Sequence, residues 1–528
     1  MRGFLPSLFL FATCAVAGSE PRWLRLCDKA VDAVPGSIAW EDAPLRRDLL
    51  DDLKSRGWTL RREYRWENLV SAVPNAGATL PACVVDAGPV GKGVGKKPVG
   101  TVAARRGGMA GVDPATQALK KIWDAMGIES VRQILLQRRK PAGEGVTVAV
   151  IDAPFARAHK VLRDAQIGDS WDFVRDSPDP WDSLKYGRFQ DIHGAAVAGV
   201  IASRWEGLPG IAPYARFLLY RAEDEQSEST VEEDNLAAAI VRAVDNGANI
   251  ITTSLGYRFL DANNTQTMHP WTDYDGKSLV ATRAATAAAR RDVLVLVAAG
   301  NEGGMGGRSI GSPADADSVL VVGGISESGE ACWFSSWGPT ADGRPKPDVA
   351  AFGCDVPIAA RGGIDEIELN GSGTSFATPL VAGLAALAWQ LEPGVSAAQL
   401  RGQIQASARL GASASGGTRD SIRGYGLPDL RRIFPDLSRA RMLALPTSWR
   451  PDREPLVFQT SSAQGGGKLQ LTLATPDGKV VYHRSGAYQT GASVWSPYGT
   501  ALPRPGMLLA RWSGDYGSGG QTILILPR

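Results

Sequence analysis

The chain has 528 residues, 44% apolar and 21% charged, with a net charge of +2. Its 61 glycines and 33 prolines fall short of a low-complexity or collagen-like composition, and so slight a charge excess gives no footprint for nucleic acid or an acidic membrane. Length alone suggests three or four domains.

Arg2 precedes an apolar run over residues 4–17, shorter than the ~20 residues that span a bilayer. Ala15-Val16-Ala17 is a small-x-small cleavage site followed by polar residues, which predicts a secretory signal peptide over 1–17. The protein is then secreted, held at the cell surface, or periplasmic. No later run is long and apolar enough to span a membrane. Cleavage removes Cys14 and leaves Cys27, Cys83, Cys332 and Cys354, which allow three disulfide connectivities. Pairing within each region, Cys27–Cys83 and Cys332–Cys354, is the simplest; buried free thiols are the alternative.

Residues 18–87 mix helical and strand patterns. Leu45, Leu49, Leu50 and Leu53 share one helical face, with Gly57 as the stop, and residues 58–73 alternate as strands do. Residues 88–112 are rich in glycine and carry Lys92, Lys96, Lys97, Arg105 and Arg106 without an acid, so they read as an exposed linker. From 113 to about 437 short apolar strands (145–151, 250–254, 293–299, 319–322) alternate with helices such as 231–246, which Gly247 closes. That is an α/β pattern: a doubly wound, mostly parallel sheet covered on both faces. In 441–528, short alternating strands at 469–473, 480–483, 507–512 and 522–526, separated by Gly, Pro and Asp turns, predict a small β-sandwich.

The chemistry concentrates in the α/β segment. Asp152 ends the strand VAVID, His193 opens the apolar helix HGAAVAGVIA, and Ser375 lies in NGSGTSFATP. Pro379 is expected in the first turn of the next helix, where a missing N–H costs nothing. Sites in parallel α/β folds gather at the carboxyl ends of strands, so the three side chains are expected to converge. A serine hydroxyl needs a base within reach, and that base needs a carboxylate to fix its tautomer.

The order Asp–His–Ser, together with VAVIDA, HGAAVAG, TTSLG, VAAGNEG, FSSWGPTADGRPKPDVAAFG and GTSFATPLVAG in sequence, resembles the subtilases, the subtilisin-like serine endopeptidases. The resemblance implies a triad of Asp152, His193 and Ser375. It implies Asn301 as a donor to the oxyanion and Ser254, Leu255 and Gly256 as the strand that pairs with extended substrate. It also implies polypeptide substrates and chemistry that requires no cofactor. Residues 18–87 resemble an α+β subtilase prodomain, an intramolecular inhibitor in a zymogen, with the maturation site in the 88–112 linker. The C-terminal segment resembles small sandwich tails used for sorting or attachment, which makes secretion or sorting machinery a candidate partner. A catalytically impaired binding protein at the cell surface is the alternative reading. Ala195, Ala196, Ala153-Pro154 and Phe352 depart from the family pattern. The Ala153-Pro154 change removes a hydroxyl and an N–H beside the aspartate.

His159 reads as structural, and His269 and His483 as surface residues. No Cys/His cluster has zinc spacing. Asp172, Asp176, Asp179 and Asp182 form an acidic loop that is either solvated or a structural Ca²⁺ site.

Overall fold

The computed structural model describes residues 21–26, 42–81, 83–90, 94–95, 114–182, 184–185, 188–189, 191–224, 227–228, 230–259, 268–410 and 419–434, and the strands named below in the C-terminal region. The expected signal peptide and Cys27 lie outside them. The chain divides into two units, residues 1–128 with 140–429, and residues 129–139 with 430–528.

The first unit begins with β1 (Arg22–Arg25), α1 (Arg47–Ser55), β2 (Trp58–Tyr64), β3 (Leu69–Pro74) and β4 (Val85–Pro89). The strands form an antiparallel sheet in the order β2-β3-β1-β4. Leu49, Leu50 and Leu53 line one face of α1 and are buried with Trp58, Val70 and Ala72, as their helical spacing requires. Gly57, at φ +88°, turns the chain from α1 into β2, a conformation open to glycine at no steric cost. The sheet outlasts the expected boundary at 87. Strand β4 reaches Pro89, and the Val90 N–H donates to Pro21 O at 2.7 Å. Farther on, β5 (Val94–Gly95) is a short separate strand.

Helices α2 (Pro114–Ala125) and α3 (Ile128–Gln137) follow, then β6 (Thr147–Asp152), α4 (Lys160–Arg163), β7 (Gln166–Asp172), β8 (Leu184–Lys185), β9 (Arg188–Phe189), α5 (His193–Ala202), β10 (Arg216–Arg221), β11 (Ser227–Glu228), α6 (Thr230–Asp245), β12 (Ile250–Thr253), α7 (Val280–Ala289), β13 (Leu294–Ala298), β14 (Leu320–Ile325), β15 (Val349–Phe352), the hairpin β16 (Val356–Ala359) and β17 (Ile367–Gly371), α8 (Thr374–Leu391) and α9 (Ala397–Ser407). Seven of the strands form a sheet in the order β15-β14-β13-β12-β6-β10-β7, every neighbouring pair parallel. Ile151, Tyr220, Ile251 and Val295 pack with α6 and α7 on one face. Their neighbours Val150, Leu219 and Leu296 are equally buried, and α8 lies against β12 to β15 beside α5. Strands buried on both faces explain why these runs are continuously apolar rather than alternating.

Helix α8 corrects one expectation. Its 18 residues are long and apolar enough to cross a membrane by length and composition, but 89% of them are buried inside the protein.

The N-terminal sheet sits on α6 and α7. Tyr64, Trp66 and Leu69 join the apolar core of those helices. Around them Arg61 Nη1 donates to Asp234 at 2.9 Å, Ser71 Oγ to the same carboxylate at 2.5 Å, and Arg65 pairs with Asp245. Asp42 pairs with Arg291 at 2.7 Å, and Glu67 with Arg283 at 3.3 Å. Cys332 is bonded to Cys354, as expected. Cys83 is also disulfide-bonded, and its expected partner Cys27 is not among the described residues.

The second unit holds residues 129–139, most of α3, with α10 (Leu430–Ile433) and the C-terminal strands, so residues 113–437 do not form one unbroken segment. Its strands are β18 (Ser448–Trp449), β19 (Leu456–Thr460), β20 (Gly467–Ala474), β21 (Val480–Tyr488), β22 (Gly491–Trp495), β23 (Gly506–Gly514) and β24 (Gly517–Ile525). They make a five-stranded sheet, β18-β24-β23-β20-β21, and a separate β19–β22 ribbon. Each strand expected from the alternation falls on one of them.

Candidate active site

Asp152 is the last residue of β6 and fully buried. Its Oδ1 accepts from the Ala153 N–H at 2.8 Å and bonds His193 Nδ1 at 2.5 Å. This contact makes Nδ1 the protonated nitrogen and turns Nε2 toward acid–base work. Oδ2 of Asp152 is buried without a hydrogen-bond partner, at the place where Ala153 supplies no hydroxyl. His193 opens α5 with its side chain 30% exposed, and its ring lies 6.0 Å from that of Phe376, the residue after Ser375.

Ser375 is the second residue of α8 and buried. The helix begins at Thr374, so Pro379 is in its second turn and not its first. A residue there would normally donate its N–H to the Ser375 carbonyl four residues back, and proline has none. The hydroxyl of Ser254 makes up the loss, donating to Ser375 O at 2.9 Å. Ser254, expected from the sequence in the substrate strand, thus holds the backbone of Ser375.

Asn301 follows β13 and is exposed. Its Oδ1 accepts from the Thr374 N–H at 3.0 Å and from Thr374 Oγ1 at 3.1 Å, which leaves Nδ2 facing away from the helix. Asn301 Nδ2 and Ser375 N both lie 3.7 Å from the point where a side chain on Gly373 would begin. Two donors thus flank one small space at the start of α8, suited to a developing oxyanion. Thr374 escaped the sequence reading, although it stands inside GTSFATP. Glu302, also unremarked, lies next to Asn301; burial pushes its carboxyl up, against the hydrogen bond from Ser336.

Ser254, Leu255 and Gly256 follow β12, with Gly256 exposed and open space where its side chain would be. On the other side of β6, β11 follows β10 and pairs antiparallel with β5, Ser227 opposite Gly95. The chain beyond the N-terminal sheet thus adds a short strand to the segment that follows β10.

Other expectations fare differently. His159 is structural: it caps α4, its Nδ1 accepting from Val161 N at 3.3 Å and its Nε2 lying 3.2 Å from Glu366 O. Burial holds it neutral, with a pKa of about 4. His269 is only partly exposed. Its Nε2 meets Glu233 Oε2 at 2.6 Å, and although burial pulls its pKa down, that bond and charge raise it overall. His483 lies in β21, and its side chain is outside the description. The four aspartates of the acidic loop, read as solvated or as a Ca²⁺ site, each take separate partners. Buried Asp172 takes Arg221 at 3.1 Å, Asp176 pairs with Arg62, Asp179 caps its own turn through Trp181 N, and Asp182 accepts from Asp191 N. Among the described residues no three His, Cys, Asp or Glu side chains gather as a metal site.

The sequence model of the subtilase family matches residues 143–426. The thermophilic serine proteinase of Bacillus sp. (strain AK1) is 32% identical over 243 residues, 46% of this chain and 52% of that protein. Mycosin-1 of Mycobacterium tuberculosis is 32% identical over 329 residues, 54% of this chain and 68% of mycosin-1. Subtilisin E of Bacillus subtilis is 30% identical over 53% of this chain and 65% of its own length. Among solved structures, the prenylagaramide maturation protease PagA matches at 26% identity with a TM-score of 0.44, over 59% of this chain and 98% of PagA. The chain spans about half the length of the thermophilic relative and under two thirds of subtilisin E. By the family match, which covers more than half of its residues, the chain belongs to the subtilase family.

Proposed function

We propose that the protein is an exported serine endopeptidase that cleaves polypeptides through an acyl-enzyme. The observation that carries this is the hydrogen bond of His193 Nδ1 to buried Asp152, beside a Ser375 whose backbone N–H converges with Asn301 Nδ2. Ser375 Oγ attacks the substrate carbonyl while His193 Nε2 takes its proton, and Asp152 stabilises the imidazolium. The carbonyl oxygen, now negative, enters the space between Asn301 Nδ2 and Ser375 N, where losing one such donor costs about 10²–10³ in turnover, a figure measured on a subtilisin. His193 then protonates the leaving amine, and water repeats the sequence to release the acyl half. No cofactor enters these steps.

Made as a zymogen, the chain uses residues 18–87 as its own inhibitor. The pairing of Val94–Gly95 with Ser227–Glu228 supports this, since it ties the start of the 88–112 linker to the segment that follows β10, with maturation downstream. The C-terminal strands serve sorting or attachment at the cell surface. A serine-directed peptidyl phosphonate tests the reading: labelling of Ser375 in purified protein supports the peptidase. Its absence from correctly processed protein supports the alternative, a catalytically impaired binding protein.

A further inference from the structure

Trp333 is the most exposed large apolar side chain among the described residues, at 81%, and Met305 is 56% exposed. A tryptophan buries some 150–250 Å² when covered, so holding one in water forgoes a large gain. The loop that carries it is nevertheless firmly placed. Cys332 is bonded to Cys354, and the Cys332 N–H donates to Gly324 O at 2.9 Å. Gly303, two residues beyond Asn301, donates its N–H to Phe334 O at 2.7 Å. Any side chain on Gly303 would begin 2.0 Å from Ser335 O, so the two loops touch through backbone. The ring itself stands edge-on to Phe334, with centroids 5.8 Å apart, and lies over Gly304. A braced aromatic in water beside the oxyanion donors is a surface prepared for contact.

Its place in the sheet says with what. Along the carboxyl edge the strands run β10, β6, β12, β13, β14, β15. The chain following β10 pairs with Val94–Gly95, β6 ends in Asp152, β12 leads to Ser254, and β13 leads to Asn301. The next loop in the same direction, after β14, carries Trp333. Beyond it, Gly353 after β15 accepts the Gly373 N–H at 2.8 Å, just ahead of Ser375. A substrate whose acyl half lies beside β11 and Ser254, with its carbonyl at Asn301, must carry its leaving half over this loop.

We infer that Trp333 is a specificity-determining residue that packs against an aromatic or large aliphatic side chain in the first two positions after the scissile bond. The inference rests on the peptidase reading above. It assigns the surface to the leaving half of the substrate, where backbone pairing with 254–256 no longer contributes.

The test uses two reporters built on one acyl-side tetrapeptide, chosen from cleavages the protein makes in casein. One ends in 4-nitroanilide; the other is an internally quenched peptide with Phe-Leu after the scissile bond. With Trp333→Ala the ratio of peptide to anilide kcat/KM should fall about tenfold, equivalent to ~1.4 kcal/mol and within reach of one aromatic contact. Trp333→Phe should restore most of the ratio, and replacing Phe-Leu with Asp-Gly should abolish the effect of Trp333→Ala. A ratio that stays put, or that falls as much for Asp-Gly, overturns the inference. Wild-type protein that cleaves neither reporter, or a Ser375→Ala variant that still cleaves them, overturns the peptidase reading instead.

Discussion

Ser254→Ala should loosen the nucleophile by a route that Pro379 creates. In a regular helix the Ser375 carbonyl would receive the N–H of residue 379; here it receives the Ser254 hydroxyl at 2.9 Å. Removing that hydroxyl leaves a carbonyl in a buried turn without a donor, which costs about 1–3 kcal/mol. Pro379→Ala supplies the missing N–H and removes the ring that crowds the same carbonyl. The Ser254→Ala loss should therefore shrink to about 0.5 kcal/mol or less in the Pro379→Ala background, whereas independent sites would add. The assay is thermal unfolding of the full chain carrying Ser375→Ala to prevent autolysis, where each kcal/mol moves the midpoint by about 1 °C in a chain of this length. In catalytically intact versions, the rate of phosphonate labelling should follow the same pattern. If Ser254→Ala costs as much in the Pro379→Ala background as with the proline in place, the carbonyl is not what Ser254 sustains, and this account of the residue is refuted.

Asp234, sealed under the N-terminal sheet, should make the stability of the uncleaved chain pH-dependent. Burial pushes its pKa from 3.8 up to about 6 against the pull of Arg61, Ser71 and Arg62. Its neutral form is thus favoured in the fold, and stability falls as pH rises from about 4 to 6, by roughly 3 kcal/mol, and is level above. Asp234→Asn in the Ser375→Ala chain should gain on the parent over that interval in denaturant titrations; a gap that is constant with pH, or closes, refutes the assignment. Ala153→Ser should stabilise the protein at neutral pH by about 1–2 kcal/mol, because its hydroxyl gives the unpartnered Oδ2 of Asp152 a donor. A lower melting temperature would show that the hydroxyl does not reach the carboxylate.

The sequence was informative where a property is local. Runs such as TVAVID and LVLVA are apolar on both faces because helices cover both, and they became β6 and β13. Asp152 and His193 stand out as candidates because one ends a strand and the other starts a helix, where a parallel fold gathers its chemistry, whereas Asn301 enters only through the family resemblance. What escaped depends on partners distant in sequence. The pairing of His269 with Glu233 joins the loop before α7 to the first turn of α6, and the pattern of neither segment announces the other. The acidic loop leaves a cation site open in the sequence because its answering charges, Arg221 and Arg62, come from β10 and from the N-terminal sheet. Pro379 was placed one turn too early because the helix starts at Thr374, after a glycine held at φ +152° that composition does not announce. Trp333, within CWFSSWG, carries no sign of its exposure in the sequence, and the fold places it in water.

The seam between the N-terminal sheet and α6 and α7 divides its labour between apolar contacts and charges. Its ion pairs are numerous, yet Arg65–Asp245 and Asp42–Arg291 each involve a carboxylate about two-fifths exposed, and pairs of that kind contribute at most about 1 kcal/mol. Adhesion falls instead to Tyr64, Trp66 and Leu69, all nearly inaccessible, each gaining about 1.5–3 kcal/mol from burial. The charges fix register: basic Arg61 and Arg65 meet acidic Asp234 and Asp245, while acidic Asp42 and Glu67 meet basic Arg291 and Arg283. Sliding the sheet along the helices would set like charges against each other. Asp234 alone is fully buried, so it is the one charge whose cost depends on the covering: uncovered, it returns to water. Apolar contacts hold the covering on, and this carboxylate offsets part of their gain wherever it is ionised. The seam is therefore weaker than its contacts suggest, as the release proposed for residues 18–87 would require.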